Sequence, residues 1–482
     1  MNTRQLSERT ADLVVIGSGI AGLSAAVEAA EAGLSVQVLE AAETVGGASA
    51  MSGAACFLVD TPLQREQGID DNVELALADW KLMGGPTADL EWARRYVTDS
   101  ARDVYQWCAD LGIQWNALDQ PEGNTVPRWH LPVGWGRRII DVVQARAEEL
   151  GVAIRTGVTV NELLHSAGRI TGVRTSTAGH EEILDASAVA VCTGGFIGNI
   201  DQVLKHAPQL RELPRVLAGG SPTAIGLGHD LLAACDAQFT HLDHLWVYPY
   251  GTPDPTDPSG ARGLGIRFRG VSTEIWLNTE GRRFHNEFLR GGYSGTKALL
   301  SQPGSTAWMV FAASEAQHVM LIDNEYYGTP AGPHPSAMEH FWANSKHVRT
   351  GDDPVALARA AGLPTHAVIQ ALDDFNAAVR SGAAKDPLTG RPLAGLEEVN
   401  GKLVAIQLFP MAQKNLGGVR TGLECEVLDS SGEPIKGLYA AGEVAGMAGG
   451  HLNGQAALEG TMFGPCIYSG RIAGRAVARR AR

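Results

Sequence analysis

Asp12-Leu-Val-Val-Ile-Gly17-Ser18-Gly19-Ile-Ala21-Gly22 decides how this chain is read. Four apolar residues in a row, 13–16, predict a strand buried on both faces. Three glycines follow at the spacing of a dinucleotide-binding turn. Gly17 permits the tight turn, Gly19 lets backbone approach a pyrophosphate, and Gly22 lets the next helix sit close to the strand. That helix carries Ala21, Ala25, Ala26 and Ala29, small residues suited to close packing, and stops at Gly33. A second strand over 35–39 ends in Glu40, whose carboxylate is placed for a pair of ribose hydroxyls. Strand, glycines, helix, strand and terminal acid together predict an α/β, Rossmann-type domain that holds an adenine dinucleotide.

At 482 residues the chain is too long for one ordinary core, so two domains are expected. A formal charge of -14 argues against a nucleic-acid partner and offers no attraction to anionic membrane, although a local site can oppose the net field. The cysteines (Cys56, Cys108, Cys192, Cys235, Cys425, Cys466) are scattered without a CxxC pair, which predicts buried free thiols in a reducing compartment. The first nine residues are polar, so no signal peptide is expected, and no apolar run is long enough to span a bilayer. The expected location is the cytoplasm.

Beyond Glu40 the stretch 41–57 is crowded with small residues: Ala41, Gly46, Gly47, Ala48, Ser49, Ser52 and Gly53. They predict backbone running close to a flat ring system, with Ser49 and Ser52 as donors. From 72 to 112 the pattern is helical, and Trp80, Trp92, Tyr96, Tyr105 and Trp107 fall at core spacing. A helix over 138–150 leads into a β-rich module over 152–175 that contains Val160. A buried strand over 188–192 then ends in Thr193-Gly194-Gly195. This last turn lacks the third glycine and terminal acid of a second dinucleotide site, so it is read as serving the same cofactor, and no built-in nicotinamide site is expected.

The character changes over 236–270, where His241, His244, Trp246, Tyr248 and Tyr250 precede a proline-rich run at 252–258. This marks the boundary of an inserted domain, with helices predicted over 354–361 and 365–380. His241 and His244 are three apart, but no cysteine or acid completes a ligand set, and no metal is expected. Near the end, a strand closes on Gly442-Glu443. Gly460-Thr461-Met462-Phe-Gly464-Pro465 then opens a C-terminal helix whose N-terminus suits negative charge on a ring carbonyl.

Taken in order, the opening turn with Glu40, Gly46-Gly47-Ala48-Ser49, Thr193-Gly194-Gly195, Asn278-Thr-Glu-Gly281-Arg-Arg-Phe-His-Asn286-Glu287 and Gly437-Leu-Tyr-Ala-Ala-Gly442-Glu443 resemble the flavoproteins of the fumarate reductase and 3-ketosteroid dehydrogenase superfamily. The resemblance spans nearly the whole chain. It implies FAD, with Glu40 on the adenosine ribose and Glu443 on the ribityl chain. It also implies a discontinuous FAD-binding domain, 1–237 and 405–482, carrying an inserted α+β cap over 238–404, with the flavin at their seam. Members with covalent flavin carry a histidine just after the glycine pair; here the stretch reads Ala48-Ser49-Ala50, so FAD is expected to be bound without a covalent link.

The departures bear on substrate. The proton-donating arginine of fumarate reductases falls at Ala316, and a carboxylate-holding His-Pro pair reads Tyr248-Pro249. A histidine before a Met-Gly-Gly run becomes Lys414, and a late-loop arginine maps to His451. A C4-dicarboxylate site is therefore not expected. Ketosteroid dehydrogenases use tyrosines, one shortly after the Asn-Glu pair, and Tyr293 stands there, two residues later than the family spacing. The ketone-polarising tyrosine of that branch falls near Gln455-Ala456 and is absent, whereas 460–465 matches that branch.

To desaturate a carbon–carbon bond beside a ketone, a base removes the α-proton while the β-hydrogen leaves as hydride to the flavin. A phenol, with an ordinary pKa of about 10, needs a neighbouring cation to act as that base, and Arg290, Lys414 and His451 are the candidates. The expected reading makes Tyr293 the base and Tyr248 or His451 the donor to the enolising carbonyl. The function expected is an FAD-dependent dehydrogenase acting on a cyclic ketone, either a ketosteroid or an oxocyclohexanecarboxylate-type acid, that passes electrons to an external acceptor. One alternative is an ene-reductase of the fumarate reductase type fed by an external donor. A second is a non-catalytic electron-transfer subunit, although the chain has no haem CxxCH and no iron–sulfur cysteine spacing.

Overall fold

Leu13, Val14, Val15 and Ile16 are all at most 4% exposed, and burying four such side chains contributes roughly 1.5–3 kcal/mol apiece. Their strand, Thr10–Ile16, pairs in parallel with Val36–Leu39 on one side and with His180–Val191 on the other. Ala153–Arg155 extends the sheet beyond Val36–Leu39, and Pro434–Ala440 joins it beside His180–Val191. The computed structural model describes residues 10–268, 271–289, 291–322 and 334–481. These divide into two compact units: 1–202, 221–245 and 414–482 form the first, and 203–220 with 246–413 form the second.

In the first unit, the β-rich module expected over 152–175 lies in an antiparallel meander, Thr159–Ser166, Arg169–Thr177 and His180–Val191, whose last strand runs on into the parallel sheet. The helical stretch over 72–112 is broken at Gly85, whose φ of +69° ends the helix Val73–Gly84 before Leu90–Ser100 begins. Trp80, Trp92, Tyr96 and Trp107 from this stretch are buried in the core, with Tyr105 packed against it. The six cysteines are free thiols, four of them buried.

The helix Ile20–Glu31 crosses the C-terminal helix Phe463–Ala481 with almost no side chain between them. A Cβ added at Gly470 would stand 2.2 Å from the carbonyl oxygen of Ala21, and one at Gly474 would stand 2.3 Å from that of Ala25. Around this contact Arg471 and Arg475 reach Glu28, and Arg475 also reaches Asp103 at 3.2 Å.

The second unit is built on a largely antiparallel sheet in the order Ile275–Asn278, Ala307–Ala312, Leu403–Asn415, Leu245–Pro253, Gly263–Phe268, Val319–Ile322. The helices Pro354–Ala361 and Thr365–Arg380 fall where the sequence places them and cover a core containing Ile275, Leu277, Val310 and Phe375. This unit starts at Trp246 rather than at 238, because Phe239–Thr240 pairs with Gly418–Val419 of the first unit. It also takes in 203–220, since Leu217–Ala218 pairs in parallel with Met411 and Ala412.

Replacing Gly470 by alanine forces a methyl group into main chain that has no rotamer to yield, so a loss of about 1–3 kcal/mol is expected. Urea denaturation followed by far-UV circular dichroism measures it; an unchanged midpoint would show that the two helices have room to separate.

Candidate functional site

The first unit holds a cavity enclosing about 990 Å³ of empty space that opens to solvent, walled by the opening turn and its neighbours. Gly17, with φ at +100°, turns the chain where a Cβ would lie 2.5 Å from the Cys192 carbonyl oxygen. A Cβ on Gly22 would lie 2.1 Å from the Gly17 carbonyl oxygen, so this glycine sets the helix-to-turn distance and does not line the cavity. At Gly19 only Ser49 Oγ comes within 4 Å of such an atom, which leaves the space above the helix N-terminus to a ligand.

Glu40 is 8% exposed, and its carboxylate is held from two sides. Oε2 accepts hydrogen bonds from the Ser18 amide at 2.9 Å and its hydroxyl at 2.5 Å, and Oε1 accepts from the Ala42 amide at 2.9 Å. A carboxylate has about four acceptor positions, so this anchoring leaves capacity for a hydroxyl pair. Ser49 Oγ accepts from the Ile20 amide at 3.1 Å, tying the small-residue stretch to the helix start.

Across the cavity, Asn415 donates its amide to Glu443 Oε1 at 3.0 Å and accepts the Phe196 amide on Oδ1 at 3.1 Å. Gly195 is required there: a Cβ would collide with Asn415 Oδ1 at 2.1 Å and Glu443 Oε1 at 2.7 Å. Burial pushes the Glu443 carboxyl above its usual range, with the Asn415 amide and Lys414 pulling the other way. Thr193 Oγ1 and Asn415 Nδ2 are buried without a hydrogen-bond partner among the described residues. An open cradle over a helix N-terminus, an anchored carboxylate and two unpartnered polar atoms fit a dinucleotide with a polyhydroxyl chain.

Of the residues expected to hold the cofactor, Gly17, Ser18, Gly19, Ala21, Glu40, Ala41, Gly47, Ala48, Ser49, Val160, Thr193, Gly194, Gly442 and Glu443 line the cavity. Gly46, Ser52, Gly53, Gly195, Thr461 and Met462 do not. Ser52 Oγ is turned to the Ala54 amide, and Thr461 Oγ1 donates to the Leu458 carbonyl, so both hydroxyls serve the local backbone. Sequence reasoning missed Thr223, Ala224, Ile225 and Leu227, which close one wall. Their signal was another run of small residues, Gly219-Gly220-Ser-Pro-Thr-Ala-Ile-Gly226, like those that mark the other walls.

The candidate catalytic residues divide between the two units. In the second, Trp246, Tyr248 and Tyr250 share one face of the strand Leu245–Pro253; the Tyr248 ring lies 4.8 Å from Tyr250 and 6.0 Å from Trp246 by centroid. The helix Ser294–Leu300, with Tyr293 at its N-cap, docks on that strand. Gly292 abuts the Trp246 indole, and Thr296 Oγ1 donates to the Val247 carbonyl at 2.5 Å. Lys297 sets its ammonium 3.6 Å from the Tyr293 ring centroid, a cation that the sequence reading did not name. Arg290 lies outside the described residues. Ala316 sits in a short 3-10 turn, packed against the hydrophobic core.

His451, in the first unit, is buried, with both ring nitrogens engaged. Nδ1 faces the Thr87 carbonyl at 2.9 Å and Nε2 faces His244 Nδ1 at 2.9 Å. Both nitrogens therefore face groups of the protein itself.

The FAD binding domain family model matches residues 12–462. A KsdD-like steroid dehydrogenase of Mycobacterium tuberculosis is 30% identical over 548 residues, covering 97% of this chain and 96% of that protein. The open conformation of a flavocytochrome c3 fumarate reductase superposes with a TM-score of 0.77 at 26% identity, covering 99% of this chain and 79% of its own. A 3-ketosteroid-Δ4-(5α)-dehydrogenase from Rhodococcus jostii RHA1, solved with 4-androstene-3,17-dione, gives 0.70 at 26% identity over 99% and 98%. The dinucleotide is FAD.

Glu40→Ala is expected to weaken FAD binding by on the order of 10- to 100-fold, since a charge-assisted hydrogen bond contributes about 1.5–3 kcal/mol; titration of the apoprotein with FAD measures it. Denaturing the yellow protein should release all of its flavin to the supernatant, and colour remaining on the polypeptide would establish a covalent bond.

Proposed function

We propose that this chain, which belongs to the FAD-binding flavoprotein family of the fumarate reductases and 3-ketosteroid dehydrogenases, is a dehydrogenase that introduces a carbon–carbon double bond next to the ketone of a cyclic substrate, a ketosteroid or a smaller oxocyclohexane-type acid. As a family member it is an FAD-dependent oxidoreductase acting on CH–CH bonds. Among the described residues no helix is long and apolar enough to cross a membrane.

The observation that carries this reading is the docking of the Tyr293 helix onto the strand that bears Tyr248. It places two phenols on neighbouring rigid elements of one unit. Tyr293 Oη takes the α-proton, and the Lys297 ammonium offsets the negative charge that the accepting phenol must carry. Tyr248, 5% exposed on its strand, donates to the ketone oxygen as enolate character develops. Bound FAD supplies the acceptor for the hydride released from the β-carbon. Glu40 and Ser18 hold the adenosine end and Glu443 with Asn415 the polyhydroxyl chain, while an external acceptor collects the electrons. Ala316 also supports this reading, since the fumarate branch needs an arginine at that position.

Tyr293→Phe should keep its FAD and lose turnover by about 10²- to 10⁴-fold, the range for loss of a general base; full turnover in a fully flavinated variant would remove Tyr293 from the mechanism. Direction is read anaerobically. Saturated cyclic ketone should bleach the flavin, whereas an enzyme that only reoxidises reduced flavin with an enone is an ene-reductase of the fumarate reductase type.

A further inference from the structure

His241, His244 and His451 lie together in the first unit, although 207 residues separate the last two in sequence. The ring of His451 lies 4.1 Å from that of His241 and 4.8 Å from that of His244, and the His241 and His244 rings are 4.7 Å apart. One nitrogen from each falls within 4.8 Å of the other two. A single shared proton accounts for the 2.9 Å contact between His244 Nδ1 and His451 Nε2. The third imidazole, His241, stacks on both at interplanar angles of 26°, so its nitrogen faces the other two only once its ring turns.

We propose that these three histidines form a binding site for a transition-metal dication of the Zn²⁺ class, with a fourth coordination position left to water or another small ligand. Three imidazoles are a known ligand set for zinc, with nitrogens roughly 2.0–2.1 Å from the metal, and His241, being exposed, has room to turn out of its stacking and complete the set. The outer contacts fix which nitrogen is presented. The Thr87 carbonyl takes the Nδ1 proton of His451 and leaves Nε2 as the bare donor. Asp243 stands 3.9 Å from His244 Nε2, on the side away from His451, which assigns Nδ1 of His244 to the metal. His241 is exposed and leaves the metal a path from solvent. Its backbone, at φ +49°, is locked against Gly417, where a Cβ would lie 2.0 Å from the His241 carbonyl oxygen.

The metal proposal does not rest on the desaturation reading and is tested without turnover. The flavoprotein is stripped with a chelator, dialysed and titrated calorimetrically with Zn²⁺ and, separately, with Mg²⁺. One saturable equivalent of Zn²⁺ is expected, with Mg²⁺ far weaker because imidazole favours the transition metals. His241→Ala and His244→Ala should each weaken Zn²⁺ at least about 10-fold while the flavin absorbance is retained. No saturable Zn²⁺ binding, equal affinity for Mg²⁺, or Zn²⁺ binding that survives both substitutions would overturn the proposal. Should a substitution cost the flavin, the parent protein's stoichiometry and metal preference decide alone.

Discussion

The interaction on which the first unit depends is a backbone-to-backbone approach with no side chain in between. Gly22 sits over the Gly17 carbonyl, Gly17 sits against the Cys192 carbonyl, and Gly470 and Gly474 sit against the carbonyls of Ala21 and Ala25. Each contact would clash if its close-packed glycine (Gly22, Gly17, Gly470 or Gly474) carried a Cβ, because main chain cannot change rotamer to make room. The helix Ile20–Glu31 is thereby clamped between the turn and the C-terminal helix, and its free N-terminus is aimed into the cavity. The glycine that matters for ligand, Gly19, is the one facing open space. Packing uses some of these glycines and binding uses another, and a single short turn carries both.

The same economy appears in the polar groups. Glu40 is held by Ser18 and Ala42, and Glu443 by the Asn415 amide. Carboxylates positioned by backbone donors lose little freedom on binding, which favours tight retention of the cofactor. In the second unit, the phenols stand on a strand and at a helix start rather than on a free loop, so their geometry follows from the sheet. The His244–His451 contact binds the segment after Ala237 to the late glycine-rich loop, where Gly446, Gly449 and Gly450 all take positive φ.

Much of the architecture was legible because it is written in short-range chemistry. The run 13–16 announces a buried strand by hydrophobicity alone, the helices at 354–361 and 365–380 by periodicity and Gly/Pro punctuation, and the dinucleotide turn by glycine spacing. Less legible was where small residues serve the cofactor and where they serve the chain. Ser52 reads as a ligand donor, but its Oγ accepts the Ala54 amide and lies outside the cavity wall, and the Thr461 hydroxyl donates to the Leu458 carbonyl. The edge of the second unit also moved, because membership follows strand pairing, and 217–218 pairs with a strand nearly two hundred residues later.

The sequence by itself determined a Rossmann-type FAD-binding domain, an inserted second unit, and the family to which both belong, because each rests on contacts between residues near in the chain or on patterns spanning it in order. Only the tertiary structure decided that Lys297 is the cation over Tyr293, that His451 turns inward, and that three histidines converge. The first depends on how a helix begins, and the others on loop closure over two hundred residues. Tyr293 and Lys297 stand at helical i, i+4 spacing, which has meaning only once a helix is known to start there, whereas the approach of His451 to His241 and His244 leaves no trace in local spacing.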